Sequence, residues 1–199
     1  LYAGTLGRAQ DLSNALYAAD SARNAGVEVS LRFVGAGAAR SSLRDLAREL
    51  KLDVEFLPRA EADELDVHYE WADTALVHLA PWQPLEMTVP SKLYELMSIG
   101  MHISGVLAGE AAQLLEKHQA GDVVAPGDPA ALGALWKDLA ENDRHLRVGE
   151  GGRSWIEGEA QDTVPIVMQK MLTEILNRPK SRKEGVVYRS GSRLSVLIT

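Results

Sequence analysis

The sequence of 199 residues contains no cysteine, which excludes disulfide bonds and thiolate-ligated metal sites. Basic residues are also fewer than acidic ones, 21 against 28, which gives a net charge of −7. This balance argues against a general nucleic-acid binder, because contacts along a phosphate backbone need a concentrated basic face. Any phosphate site must therefore be local, and the lack of cysteine fits a reducing compartment such as the cytoplasm.

Long hydrophobic runs are lacking as well. No apolar run approaches the roughly 20 residues of a membrane-spanning helix, and the first residues lack the charged-then-apolar pattern of a signal peptide. With 46% hydrophobic residues, the chain nevertheless has the side chains for a full core. It opens directly on a strand pattern, Leu1 to Ala3, without an initiator methionine. We therefore expect a fragment of a longer protein.

The sequence does contain a regular alternation of short apolar runs and helical patterns. Six strand candidates centre near residues 3, 31, 55, 76, 104 and 124, each followed by a helical pattern. This alternation predicts an α/β fold with a doubly wound, mostly parallel six-stranded sheet, since an eight-stranded barrel needs more chain. Residues 1–177 are expected to form one domain, with a break from Gly149 to Gly152 and an amphipathic closing helix from about Val164 to Leu176. Residues 178–199 are expected to form a basic tail. For the tail, disorder, a terminal hairpin and a membrane-surface anchor stay open.

One helix, predicted between Thr88 and Gly100, carries the most chemical information. Pro90 suits its first position, and Gly100 suits the residue after its last turn. Lys92 lies in the first turn, where the helix dipole disfavours a cation by up to about 1 kcal/mol unless an anion is near. Glu95, one turn later, could accept hydrogen bonds from hydroxyls. The pair indicates either a phosphate-and-ribose site or a solvated Lys/Glu pair at i,i+3.

Two turns that follow strand candidates are further candidates for an anion site. Gly4 and Gly7, followed by Arg8, precede a helix predicted from about Asp11, so that backbone N–H groups and a guanidinium could face an anion. An ordinary turn with a surface arginine is the alternative. Pro58-Arg59 places a rigid turn and a cation at the carboxyl end of a strand, the edge where open α/β sheets bind ligands.

Two other features are assigned no ligand. The Gly35-Ala36-Gly37 turn lacks the third glycine and the spacing of a dinucleotide fingerprint, so no nicotinamide or flavin site is predicted. His78, within an apolar run, is interpreted as a core or strand-end histidine rather than a metal ligand, because the other histidines are scattered. The apolar run itself is typical of a strand buried on both faces.

Taken together, these segments resemble a known family. The resemblance rests on Tyr-Ala-Gly-Thr-Leu-Gly-Arg, Leu-Arg-Phe-Val-Gly-Ala-Gly, Phe-Leu-Pro-Arg, Tyr-x-x-Ala-Asp-x-Ala-Leu-Val, Val-Pro-Ser-Lys-Leu-Tyr-Glu-Leu-Met-Ser-Ile-Gly, Gly-Glu and Gly-Asp-Pro-x-Ala-Leu, in that order. The chain is similar, over about residues 1–153, to the C-terminal half of retaining glycosyltransferases of the GT-B fold. It most resembles the family 4 enzymes of bacterial polysaccharide assembly.

The resemblance implies a Rossmann-like domain that holds a nucleotide-sugar donor and faces an N-terminal, acceptor-binding domain absent from this chain. It implies transfer of a sugar to an acceptor in polysaccharide or glycolipid synthesis, without a metal or other cofactor, and poor activity of this domain alone. The expected location is the cytoplasm or the inner face of the membrane, with peripheral membrane association left open. A non-catalytic nucleotide-binding module and an epimerase-like enzyme are the alternatives.

The resemblance also implies roles for particular residues. Glu95 matches the glutamate that hydrogen-bonds the ribose hydroxyls, and Leu93 lies beside it in the same motif. Lys92 and Arg8 are the cations for the diphosphate, with the turn from Gly4 to Gly7 beside it. Pro58 and Arg59 match the loop that lies against the base. No catalytic residue and no metal ligand is assigned.

The sequence departs from the family pattern at two places. The wider family has two glutamates separated by seven residues, but counting back from Glu95 reaches Met87, and Glu86 is one place off. We therefore treat Glu86 as a candidate contact to the sugar. Thr5 stands where many members have a first-loop arginine, and Arg8 is taken as its substitute.

Overall fold

The structure, a computed structural model, describes residues 1–177, and the predicted basic tail lies outside the described residues. Strands and helices alternate along this part of the chain, as the sequence predicted. The strands are β1 (Tyr2–Ala3), β2 (Leu31–Val34), β3 (Val54–Leu57), β4 (Ala75–His78), β5 (Ile103–Val106) and β6 (Gly121–Val124). The α-helices are α1 (Ser13–Asn24), α2 (Arg40–Glu49), α3 (Asp66–Trp71), α4 (Ser91–Ile99), α5 (Gly109–Lys117), α6 (Pro129–Glu141), α7 (Gly151–Gly158) and α8 (Val164–Asn177).

The strands form two three-stranded parallel sheets, in the orders β1-β2-β3 and β4-β5-β6. This confirms the parallel α/β class but corrects the prediction of six strands in one sheet. At the junction, the Leu1 amino group donates to the Thr74 carbonyl at 3.0 Å, and the Leu76 N–H donates to the Leu1 carbonyl at 2.7 Å. Because β1 has only two residues, these two bonds do not extend into a continuous ladder.

Strand β4 is buried on both faces, as its uninterrupted apolar run predicted. Leu76 packs into a cluster beneath α1, α2 and α6. Ala75 and Val77, which point to the other face, pack into a second cluster beneath α4 and α5. The two clusters therefore cover opposite sides of the strand that leads toward α4.

Helix α4 has nearly the bounds expected from the sequence. Pro90 is extended and precedes Ser91, so the helix begins one residue later than predicted. Gly100 ends it with φ of 69°, a left-handed conformation that glycine adopts at little cost. Leu93, Leu96 and Met97 are buried against the second cluster. This packing fixes the orientation of the opposite face, which carries Lys92 and Glu95.

Helix α7 packs against the carboxyl end of α4. The guanidinium of Arg153 donates to the carbonyls of Ser98 at 3.2 Å and Ile99 at 3.0 Å. We expected only a break around Gly149 to Gly152, and that expectation is wrong for the last two glycines, which begin α7. A Cβ at Gly151 would lie 2.9 Å from the His118 carbonyl, so these glycines permit close packing rather than end a helix. The closing helix expected over residues 164–176 is confirmed as α8.

None of the helices described over residues 1–177 has both the length and the hydropathy needed to cross a bilayer.

Candidate functional site

A cavity of about 350 Å³ lies at the carboxyl ends of β1, β2 and β3, beside the first turn of α4. It brings together three residues that the sequence singled out, Gly4, Arg59 and Lys92. The carboxyl edge of an open α/β sheet is where ligands of this fold class bind. The remaining wall residues are Ala3, Thr5, Val34, Gly35, Ala36, Ala60 and Leu65.

The turns after β1 and β2 form one wall of this cavity and touch backbone to backbone. Leu6 donates from its N–H to the Ala36 carbonyl at 2.9 Å. A Cβ added at Gly35 would lie 1.9 Å from the Gly4 carbonyl oxygen, and one at Gly37 would lie 2.2 Å from that of Leu6. The two glycines are therefore required by the contact between the turns, a role that differs from phosphate binding by a dinucleotide fingerprint.

Lys92 and Glu95 form an ion pair at the mouth of the cavity, with 2.7 Å between Nζ and Oε2. The hydroxyl of Tyr69, from α3, donates to Glu95 Oε1 at 2.5 Å. Lys92 also donates to the Tyr69 hydroxyl at 3.3 Å. The side chains of Lys92 and Glu95 are 26% and 41% exposed. The pair predicted from the spacing is thus present, but it is half-buried and part of a three-residue cluster.

The surroundings of Glu95 and Tyr69 keep the carboxyl group ionised and the phenol protonated. Burial raises the pKa of Glu95, but hydrogen bonds from Lys92 and Tyr69 and the lysine charge outweigh burial, so the pKa lies below its usual range. Burial, followed by the hydrogen bond to Glu95 and the carboxylate charges of Glu95 and Asp66, raises the pKa of Tyr69. At neutral pH the site therefore contains a carboxylate acceptor and a neutral phenol donor.

Arg8 and Arg59 are both exposed, and Arg59 lines the 350 Å³ cavity whereas Arg8 does not. Arg8 begins a 3-10 turn, Arg8–Gln10, that follows the extended Gly7, and Arg59 follows the exposed Pro58 at the end of β3. Within residues 1–177 neither guanidinium has a hydrogen-bond or ion-pair partner, so both are available to an anion. The predicted cap Asp11 does not cap α1, which begins at Ser13; its carboxylate instead accepts from the Ser13 hydroxyl at 2.7 Å.

Six of the nine predicted site residues are not among those that line the 350 Å³ cavity: Gly7, Arg8, Pro58, Glu86, Leu93 and Glu95. Glu95 is joined to it only through its ion pair with Lys92. Leu93 is completely buried in the second core cluster and presents no exposed atom to a ligand, so its assigned contact is corrected to a packing role. Glu86 is exposed in a 3-10 helix, Gln83–Met87, and lines a separate cavity of about 190 Å³ with Trp82, Ala108 and Pro126. Its helix lies against α5, where a Cβ at Gly109 would come within 2.0 Å of the Glu86 carbonyl oxygen.

A larger cavity, of about 470 Å³, lies at the opposite edge of the strands. Leu1, Ser30 and Thr74, at or before the amino ends of β1, β2 and β4, are among its lining residues, with Trp71 and Trp136. None of the residues predicted for the site belongs to it. Size alone therefore does not locate the candidate site.

His78 is buried at the carboxyl end of β4, which agrees with its interpretation as a strand-end histidine. The Asn14 amide donates to its Nε2 at 3.0 Å. Burial lowers its pKa to about 4, although the Asp11 carboxylate and the Gln10 backbone act in the opposite direction. His78 is therefore neutral at pH 7.

Tyr69 is the site residue that the sequence reasoning missed. Its motif, Tyr-x-x-Ala-Asp, was recognised as part of the family pattern, but no role was assigned to the tyrosine. The only local signal was a tyrosine in an otherwise acidic helical segment. Its contact with Glu95 joins residues 26 positions apart and depends on how α3 and α4 pack.

Comparison with known proteins identifies the family to which the chain belongs. Residues 1–155 match the model of the family described as glycosyl transferases group 1. The chain belongs to this family. A search of curated protein sequences finds no match.

Several solved glycosyltransferase structures share the fold of this group 1 glycosyltransferase chain. Anabaena HepE in complex with UDP superposes with a TM-score of 0.66 and 17% identity, over 88% of this chain and 47% of HepE. The pneumococcal O-GlcNAc transferase GtfA, in complex with UDP and GlcNAc, gives 0.70 and 18%, over 88% of this chain and 35% of GtfA. The C-terminal domain of LpcC from Francisella tularensis, a glycosyl transferase group 1 family protein, gives 0.62 and 13%, over 81% of this chain and 87% of that domain.

The chain thus spans less than half the length of HepE and of GtfA, and most of the length of the LpcC domain. At these identities the likeness shows the fold.

Proposed function

We propose that residues 1–177 are the donor-binding, C-terminal domain of a retaining GT-B glycosyltransferase of the family 4 type. The domain binds a nucleoside diphosphate sugar, and a second, N-terminal domain binds the acceptor, in bacterial polysaccharide or glycolipid synthesis. The observation that carries the proposal is the convergence of Gly4, Arg59, Lys92 and, through its ion pair, Glu95 on one cavity at the carboxyl edge of the strands.

The structural neighbours support the choice of ligand and of domain. HepE and GtfA were crystallised with UDP, which makes UDP the first nucleotide to test here. The near-complete overlap with the LpcC C-terminal domain supports the C-terminal assignment. Helix α8 is consistent with a covering second domain, because it exposes the apolar side chains of Val164, Ile166, Val167, Met168 and Met171.

The site residues have distinct chemical tasks in this proposal. Glu95 accepts hydrogen bonds from ribose hydroxyls, and Arg8, Arg59 and Lys92 compensate the diphosphate charge. During transfer the bond between the sugar carbon and the phosphate oxygen breaks, and its electron pair passes to the diphosphate. The sugar carbon then bonds to the acceptor oxygen, whose proton is released. Cations that hold the diphosphate stabilise it most as it leaves.

Two further assignments are carried over from the family resemblance. We propose that Pro58, exposed beside Arg59, lies against the base and that Glu86, which lines the separate 190 Å³ cavity, contacts the sugar. The cytoplasmic location and an association of the basic tail with a membrane surface remain proposals, and the tail lies outside the described residues.

Calorimetric titration with UDP, GDP and ADP tests the proposal. We expect micromolar binding of at least one of them and a loss of tenfold or more, about 1.4 kcal/mol, in Glu95→Ala and in Lys92→Ala. Glu141→Ala is the matched control, because Glu141 also forms an ion pair with a lysine on a helix surface but lies on α6. Lack of binding to all three nucleotides, or equal affinity in all variants, would contradict the proposal.

The site is also expected to bind nucleotide without a metal ion. The guanidinium groups of Arg8 and Arg59 and the Lys92 ammonium supply the positive charge that a divalent cation would otherwise provide. The Kd for UDP is therefore expected to be the same in the presence of EDTA and of Mg²⁺. A clear weakening of binding on adding EDTA would show that a bound cation contributes.

A further inference from the structure

Tyr69 occupies a position that packing alone does not explain. Its hydroxyl forms a three-residue cluster with Lys92 and Glu95. It donates a hydrogen bond to one carboxylate oxygen of Glu95, and Lys92 binds the other. Lys92 holds Oε2 and Tyr69 holds Oε1, so the carboxylate is fixed at both oxygens. A carboxylate restrained in this way has a defined plane and keeps further lone pairs for other donors.

The ring of Tyr69 is itself well anchored. It packs against the second core cluster, which contains Leu93, Leu96 and Met97, and also against a small cluster formed by Leu1, Val34 and Leu65. The first of these belongs to the β4-β5-β6 side, and the second includes β2. These contacts restrain the ring, so the hydroxyl can orient Glu95 before a ligand arrives.

We propose that Tyr69 is a positioning residue that makes Glu95 selective for ribose over deoxyribose in the bound nucleotide. This inference rests on the proposed function, since it assigns Tyr69 to the same nucleotide site. A carboxylate held at both oxygens keeps a fixed plane, so its remaining lone pairs meet a ribose hydroxyl in a defined direction, whereas a carboxylate that rotates freely makes a weaker hydrogen bond. Tyr69 is therefore expected to affect recognition of the sugar hydroxyls more than binding of the diphosphate, because Lys92 keeps its ion pair with Glu95 without it.

The test compares Tyr69→Phe with the wild-type chain, using UDP, 2′-deoxy-UDP and 3′-deoxy-UDP in calorimetric titrations. We expect the wild type to bind UDP about tenfold more tightly than at least one deoxy form, about 1.4 kcal/mol for loss of a charge-assisted hydrogen bond. In Tyr69→Phe this ratio should fall at least threefold, while the Kd for that deoxy nucleotide changes less than twofold. Tyr17→Phe, at an exposed position on α1, is the matched control and should leave both values unchanged.

A second variant checks that Tyr69 acts through the carboxylate. Glu95→Gln should lower the same ratio, and adding Tyr69→Phe to Glu95→Gln should lower it no further, because coupled residues are not additive. Thermal unfolding of each variant confirms that the chains compared are folded.

The outcomes separate the inference from the function on which it rests. An equal weakening of UDP and deoxy-UDP in Tyr69→Phe would make Tyr69 a purely structural residue and overturn the inference, as would unchanged binding of both. A wild type that binds UDP without discriminating against either deoxy form would overturn the ribose role of Glu95 as well. A wild type that binds none of UDP, GDP and ADP would instead overturn the proposed function.

Discussion

At the scale of single residues, burial rather than charge decides the state of His78. Its Nε2 accepts from Asn14, and its Nδ1 has no hydrogen-bond partner among residues 1–177. Protonation would place a charge in the core without an adequate counter-ion, which explains why its pKa falls to about 4 from an ordinary value of 6.5. The largest opposing influence on the pKa is the carboxylate of Asp11, which offsets only part of the cost of burial.

This residue predicts how stability depends on pH. Between pH 6.5 and 4 the unfolded chain binds a proton at His78 that the folded chain does not, so the free energy of unfolding falls as the pH falls. From pH 7 to pH 4 we expect the wild type to lose on the order of 3 kcal/mol relative to His78→Gln. Urea unfolding of both chains at several pH values measures this difference. Parallel pH curves would contradict the assignment.

At the scale of secondary-structure elements, a partly buried polar network connects the second sheet to α6. The Trp136 indole N–H donates to the Ser104 hydroxyl at 3.2 Å, and that hydroxyl lies 2.9 Å from the Thr74 hydroxyl. Thr74 lies 2.8 Å from His102 Nδ1, and His102 Nε2 lies 3.0 Å from the Asp122 carboxylate. The network therefore connects β4, β5, β6 and α6 through polar groups that have few alternative partners.

The Ser104 hydroxyl contacts both the Trp136 indole and the Thr74 hydroxyl, so it links α6 to the rest of the network. Ser104→Ala removes the acceptor of the Trp136 indole in a fully buried site, which should lower the free energy of unfolding by about 1–3 kcal/mol. Chemical denaturation measures the change, with exposed Ser41→Ala as the control, expected within about 0.5 kcal/mol of wild type. A loss for Ser104→Ala no greater than that of the control would show that the network contributes little.

The elements themselves differ in how well the sequence predicts them. Strand β4 and helix α4 were predicted closely, because their signals are local: an apolar run in one case, periodic leucines with Pro90 and Gly100 in the other. Helix α7 was missed because Gly151 and Gly152 resemble a break. The absence of their side chains instead allows α7 to approach His118, Ala120 and Met97, a tertiary requirement that local propensity does not contain.

At the scale of the whole molecule, the sequence predicted the class of fold but not how its strands join. Six strands were counted correctly over the described residues, whereas their division into two sheets reflects the junction at Leu1, where two hydrogen bonds to Thr74 and Leu76 do not make a continuous ladder. The strand positions follow from hydrophobic pattern, and the pairing at the junction follows from the length of β1, only two residues. The hydrophobic pattern therefore predicts where the strands lie but not how they pair at the junction.

The candidate site was likewise predicted in part. Gly4, Arg59 and Lys92 were identified because each follows a strand or begins a helix at the carboxyl edge, and they line one cavity. Glu86 was included because it lies one place from the position of the family's other glutamate, yet its 3-10 helix packs against α5 and borders a different cavity. The role of Tyr69 was not predicted, because its contact with Glu95 depends on how α3 and α4 pack. Contacts between elements, rather than residue types, account for each of these differences.

The backbone contact between the turns after β1 and β2 restricts how this cavity can be altered. Gly35 and Gly37 touch the carbonyls of Gly4 and Leu6, so a side chain or insertion in either turn would displace the other. The wall formed by these two turns is therefore rigid. Arg59, after β3, and Lys92, on α4, line the same cavity without this restriction, and libraries aimed at new ligands should be concentrated at those positions.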